Sequence, residues 1–308
     1  MVSSTPQGLQ IRPRQLDFDL PNPLPRHWHS GDAFKTHLFN AMSVLFPDGE
    51  RFFIDSVRHY REQIADPVLN EQIRGFIGQE GHHSREHLEY SARLRELGYD
   101  VDYLERGLKR RLRFVQKKLP PAALLASTTA VEHLTAILAD AVLSNPQMMA
   151  DADPTVAKLW RWHALEETEH KSVAFDVYQQ VHGSRWLLRR AMLQSTFFFT
   201  WDTTKGLIHM LKRDGLLWNW RVWRDGLVWL WGKEGVFRKL APAYLDFYKE
   251  GFSPWQHNNL HLVEAYRAEF DTQAAQVVAA EALPRASPRP AAGLGLSRRS
   301  QAPSPSGH

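Results

Sequence analysis

From about residue 49 to 183 the chain carries long stretches of helical periodicity cut by sharp Pro, Gly and Asn punctuation. Asp66-Pro67 and Asp153-Pro154 each set a capping aspartate before a proline at the first helical position. The helices they open run over about 67–97 and 154–181 and end at Gly98 and at His182-Gly183. A helix over about 49–64 follows the break at Phe46-Pro47-Asp48-Gly49, and another spans about 121–144, closed by Asn145-Pro146. A shorter basic helix from Tyr103 to Lys118 joins the second and third long ones. Period-two runs joined by hairpin turns do not occur, so the pattern predicts an all-α chain built on a four-helix bundle.

Composition divides the rest. Residues 1–30 are proline-rich and read as an extended N-terminal arm, and 31–183 hold the bundle. Residues 184–270 read as an aromatic and basic helical extension packing on it. Residues 283–308 are Pro, Ala, Ser, Gly and Arg, too poor in apolar surface to order, and are expected to form a disordered tail. The 308-residue chain has no cysteine, which excludes disulfides, thiolate zinc sites, iron–sulfur clusters and cysteine nucleophiles. Any metal would be held by oxygen and by some of the 15 histidines. The N-terminus lacks an apolar core and carries Asp17 and Asp19, and no run of about 18 uncharged apolar residues exists. A cytoplasmic protein without a spanning helix is the expectation.

The chemistry concentrates in Glu-x-x-His, which occurs as Glu80-Gly81-His82-His83 and as Glu167-Thr168-Glu169-His170. Residues three apart on a helix share a face, so each motif offers a carboxylate and an imidazole to one ion. Each is preceded by a helix with a glutamate: Glu50 lies 30 residues before Glu80, and Glu132 lies 35 before Glu167. Four helices of a bundle would thus bring four carboxylates and two imidazoles around two cations. Such a donor set suits two iron ions, with manganese or a mixed pair as alternatives. His163 stands four residues before Glu167, within about 60° of arc of Glu167 and His170. It is a further candidate ligand or a histidine supporting one. His87 is a weaker candidate, while His82 and His133 point away. Glu166 and Glu169 read as a solvated or salt-bridged edge. Gly75, Gly78 and Gly81 repeat inside a helix and imply either close packing or room beside the metals.

These features resemble the ferritin-like di-iron carboxylate superfamily. More closely, over roughly residues 30–260, the chain resembles a bacterial family labelled predicted metal-dependent hydrolases. The stretches Phe46-Pro47-Asp48-Gly49-Glu50-Arg51-Phe52-Phe53, Gln79-Glu80-Gly81-His82-His83 and Glu166-Glu167-Thr168-Glu169-His170 carry that likeness. The superfamily implies ligand roles for Glu50, Glu80, His83, Glu132, Glu167 and His170. His163-x-x-x-Glu167-x-x-His170 is similar to the fourth ligand helix of di-iron arylamine N-oxygenases, where the extra histidine is a seventh ligand. The superfamily implies oxygen activation; the family label implies hydrolysis.

Eight of the 11 tryptophans lie between 186 and 255. Between Arg185 and Leu240, 11 Lys/Arg face 4 Asp/Glu, a local +7 against a net +4 for the chain. The favoured arrangement is a helical hairpin on the bundle with its tryptophans buried. Peripheral contact with the inner membrane surface, or with a lipid-like substrate, through 186–240 is the alternative, and nucleic acid is not expected. The leading function is oxidation of a small apolar substrate by oxygen at a di-metal site, drawing on an electron donor the sequence does not name. The alternatives are a metal-dependent hydrolase and non-catalytic iron binding. A homodimer is left open.

Overall fold

The computed structural model describes residues 3–281, so the tail expected at 283–308 lies outside the described residues. Its helices are α1 (Ala33–Arg58), α2 (Pro67–Glu96), α3 (Val101–Lys118), α4 (Pro121–Ser144), α5 (Pro154–His170), α6 (Val173–Val181), α7 (Arg185–Arg213), α8 (Trp220–Trp231), α9 (Val236–Asp246) and α10 (Leu260–Glu281). No strand occurs among the described residues. Asp66 and Asp153 cap α2 and α5 as expected, each side chain accepting from two backbone amides beyond the proline.

Two boundaries differ from expectation. α1 does not begin at 49 but is capped by Asp32, runs through Pro47 and stops at Arg58. Proline in a helix interior costs about 3 kcal/mol. Residues 33–46 are almost all buried in α1, including Phe34, Leu38, Phe39, Leu45 and Phe46. At roughly 1.5–3 kcal/mol for each large apolar side chain, packing outweighs the proline. The helix expected over 154–181 is interrupted at Lys171-Ser172. There Lys171 Nζ turns to His257 O and Asn259 Oδ1, and Ser172 Oγ meets Thr5 Oγ1 and accepts from Trp255 Nε1.

α1 packs along α2 and α7, and α4 packs along α5, α6 and α7, so α4 and α1 run through the interior. α4 is, among the described residues, the helix long and apolar enough to cross a membrane by length and composition. Most of it is buried by its neighbours. α10 lies on α5.

The arm follows the bundle closely. Leu16, Phe18, Leu20, Leu24 and Trp28 are all buried in the same core as α1, α4 and α5. Its path explains two of the three glycines of α2. A Cβ on Gly75 would come within 2.2 Å of Ile11 O, and one on Gly78 within 2.3 Å of Pro13 Cγ, whereas one on Gly81 meets nothing within 4 Å. The glycines at 75 and 78 admit the arm rather than another helix or a ligand.

The tryptophans of the extension are not buried as a set, contrary to the favoured expectation. Trp186, Trp201, Trp220 and Trp231 are more than half exposed and Trp218 is 91% exposed. On α7, Trp186, Leu193, Phe197, Trp201 and Ile208 form an outward stripe at helical spacing.

Gly81→Ala is expected to raise stability by up to about 1 kcal/mol, because it removes a helical glycine from open space. Gly78→Ala should lower it by about 1–3 kcal/mol, because the arm must be pushed away. Denaturant unfolding of the two variants measures both, and equal effects would contradict the packing described.

Candidate metal centre

All seven residues singled out in the sequence meet in the bundle interior: Glu50 from α1, Glu80 and His83 from α2, Glu132 from α4, and His163, Glu167 and His170 from α5. All are buried. They form three overlapping groups: Glu80, Glu132 and His170; Glu80, His83 and Glu167; Glu50, His83 and His163. Within each group one donor atom per residue lies within 4.8 Å of the others. His170 Nε2 is 3.1 Å from Glu80 Oε1, 3.4 Å from Glu132 Oε2 and 3.6 Å from Glu167 Oε2. Glu167 Oε1 is 3.3 Å from His163 Nε2 and 3.6 Å from His83 Nδ1.

His170 and His163 each have one nitrogen turned to the cluster and the other hydrogen-bonded from behind, while neither nitrogen of His83 has a hydrogen-bond partner. Gln79 Nε2 donates to Glu169 Oε2 and to Arg12 O, which turns Gln79 Oε1 to accept from His170 Nδ1 at 2.9 Å. His83 Nε2 lies 3.1 Å from Glu166 Oε2. His163 Nδ1 lies 3.1 Å from His87 Nε2, and His87 Nδ1 lies 2.8 Å from Ser43 Oγ. These bonds orient the rings of His170 and His163 so that Nε2 of each faces the carboxylates, the placement a ligand histidine needs. His87 therefore backs His163 and is not in the cluster. Ser84 Oγ donates to Glu50 Oε2 at 2.8 Å.

Glu166 and Glu169 are salt-bridged, but they are fully buried rather than solvated. Arg14, itself 2% exposed, donates to Glu169 through both terminal nitrogens at 2.8 Å and reaches Glu166 at 3.2 Å. Arg267 of α10 adds two more bonds to Glu169 Oε1. The arm and α10 cover that edge of α5, which explains the difference from expectation. His133 donates from Nε2 to Ala243 O and packs on Phe247 and Phe252, away from the cluster. His82 is half-buried beside Glu166. Aromatic rings wall the centre: Phe46 stacks on His163 at 4.8 Å, Trp162 meets His83 edge-on and Phe76 meets His170 edge-on, both at 4.9 Å.

The electrostatics of the cluster's own side chains are unfavourable. Burial, with the neighbouring carboxylates, pushes Glu50 and Glu80 well above the ordinary carboxylate range and Glu132 up to about 7. Burial pushes Glu166 up to about 8, against Arg14. Burial also raises Glu167, but His170, His163 and His83 outweigh it and hold that carboxyl at about 2. Burial takes His83 down to about 3, whereas Glu132 and Glu167 hold His170 above its usual value despite burial. Both oxygens of Glu80 and of Glu132, Glu50 Oε1, Glu167 Oε2, His163 Nε2 and His170 Nε2 are buried without a hydrogen-bond partner. Buried polar atoms are rarely left so, and here they converge. Oxygen and imidazole donors facing one another without thiolate fit hard or borderline divalent ions, so the residues present fit a metal.

An all-helical chain with buried His and Glu groups that could hold metal is thereby defined. A family model described as predicted metal-dependent hydrolase matches residues 12–258, and the chain belongs to that family. Neither a curated protein nor a solved structure matches it.

The shifts give a pH dependence. Carboxyls raised on folding contribute stability at low pH that is lost as pH rises through their folded values, and raised His170 acts in the same sense. Above about pH 7.5, a full unit past the ordinary histidine value, the depressed histidines are almost wholly neutral in both states, so between about pH 7.5 and 8.5 the stability held by raised Glu50, Glu80, Glu166 and His170 should be lost from the metal-free protein. Added metal should offset the loss, so its increase in Tm should widen with pH. A metal-induced increase that shrinks between about pH 7.5 and 8.5 would contradict this.

Proposed function

We propose that this chain is a di-metal carboxylate enzyme that uses oxygen to oxidise an apolar substrate. The observation that carries the reading is the convergence of partnerless carboxylate oxygens and imidazole nitrogens from four helices beside an apolar cavity ending on His163. In this reading Glu132 and His170 would hold one ion and Glu50, His83 and His163 the other, with Glu80 and Glu167 available to either. That order of Glu, Glu-x-x-His, Glu, Glu-x-x-His supports a ferritin-like site. Paired iron ions, with manganese or a mixed pair as the alternative, would supply oxygen activation and redox chemistry when bound.

The chain's own part is to fix and to exclude. Gln79 and His87 set the rings of His170 and His163, and Trp162 packs edge-on against His83. Phe46, Trp162 and Phe76 keep bulk water from the donor atoms, and a dry site strengthens every electrostatic interaction within it. His163 gives one half of the site an additional imidazole, so the two halves differ. The cavity against His163 offers apolar walls, with Thr135 its one hydroxyl-bearing lining residue. That lining favours an apolar substrate over a polar ester or phosphoester.

Hydrolysis is the second reading, favoured by the family's own description. There the paired ions would activate a water and polarise the scissile group. The test is oxygen uptake by the anaerobically iron-loaded protein. Oxygen consumption that rises with an added apolar substrate and is lost in Glu167→Ala supports oxidation. Metal-dependent ester cleavage that proceeds equally without oxygen would replace it with hydrolysis, and uptake of many irons per chain would replace it with storage.

A further inference from the structure

Three environments adjoin one another between the surface of α7 and the cluster. The middle one is an apolar cavity of about 480 Å³ between α1, α4, α7, α8 and α9, lined by Leu38, Met42, Leu138, Phe199, Leu230 and Phe237 among others. Its volume falls within the range of roughly 300–1,000 Å³ usual for a single small-molecule ligand. Inward, a smaller space of about 50 Å³ shares Leu38, Met42, Leu138, Leu230 and Phe237 with it and ends on Phe46 and His163. Outward, Thr204 lines both the apolar cavity and an open pocket formed with Trp201, Lys205, His209, Lys212 and Arg213.

The outer pocket is cationic in a way its neighbours leave uncompensated. Asp100 is its one carboxylate, and that group accepts from Tyr103 N as the cap of α3. Lys205 Nζ lies 4.1 Å over the Tyr103 ring and donates to Tyr103 O, while Lys212 and Arg213 are exposed. Cationic groups beside aromatic rings suit an anionic headgroup. From Arg213 back to Thr196, which lines the apolar cavity, α7 rises by roughly 25 Å at 1.5 Å per residue, a span suited to an extended long chain rather than to a small hydrocarbon.

We propose that these adjoining spaces bind an anionic single-chain amphiphile, a fatty acid or an acyl compound with a charged head. The headgroup lies among Lys205, Lys212 and Arg213. The chain passes Thr204 into the apolar cavity, with its far end directed toward Phe46 and His163. That this amphiphile is the substrate rests on the oxidative reading above, whereas its binding rests on the cavity and the basic pocket alone.

The full-length, metal-loaded protein is titrated with 9,10-dibromostearate while tryptophan fluorescence is followed, since Trp223 and Trp231 line the cavity. Saturable quenching near one equivalent per chain is expected. The double variant Lys212→Glu, Arg213→Glu should raise Kd at least about tenfold for the acid while leaving the corresponding dibrominated alcohol within about twofold. Ala241→Phe, and separately Thr200→Phe, narrow the cavity and should each weaken both ligands about tenfold at an unchanged Tm. Metal-free Glu167→Ala should still bind stearate, so a failed metal reading is distinguished from a failed binding site. Absence of saturable quenching, equal binding of acid by the charge-reversed variant, or a two-chain phospholipid displacing the probe as well as stearate does would overturn the proposal.

Discussion

Four carboxylates packed in the middle of a helix bundle are the constraint around which the rest of the chain is arranged. Ionised groups removed from water are costly unless paired or bound to metal. Glu50, Glu80 and Glu132 respond with raised proton affinity, and only Glu167, with three imidazoles around it, stays readily ionised. A further layer, Glu166 and Glu169, stands immediately behind the imidazoles and is met by Arg14 and Arg267, although burial still raises Glu166 to about 8. Arg14 is buried, yet the carboxylates of Glu169, Glu166 and Asp271 around it hold it charged. The inner layer is left with partnerless donors that a divalent pair would satisfy.

That requirement accounts for the arm. Arg14 reaches Glu166 and Glu169 only because residues 9–16 are laid against α2, which in turn needs Gly75 and Gly78 where Ile11 and Pro13 pass. Gln79 belongs to the same device. Its amide bridges the arm backbone, Glu169 and His170, so one side chain sets both the path of the arm and the tautomer of a cluster histidine. Positioning of the site is therefore a long-range property, although its donors come from short motifs.

The donors themselves were readable because helical geometry links spacing to face. Glu80 and His83, Glu167 and His170, and His163 one turn earlier had to share a side of their helices, and the Asp-Pro caps placed those helices correctly. What could not be read was set by tertiary packing. Pro47 suggested a helix start, yet the buried face of residues 33–46 carries α1 through it. Glu166 and Glu169 read as a solvated or salt-bridged edge; they are salt-bridged, but nothing local reveals that Arg14, more than 150 residues away, buries them. The interruption at Lys171-Ser172 lacks a proline or glycine and comes from partners at Thr5, Trp255, His257 and Asn259. Tryptophan and arginine at 186–240 suited both a buried hairpin and an exposed surface, and composition alone could not choose between them.

The central claim is that the cluster holds a pair of metal ions. Elemental analysis of the anaerobically reconstituted protein tests it most directly, with Glu132→Ala and Glu167→Ala beside the wild type and Glu89→Ala as an exposed control. The account predicts about two iron or manganese ions per chain in the wild type and control, and loss of metal in both cluster variants. No bound metal in the wild type, or the same content in all four proteins, would contradict it.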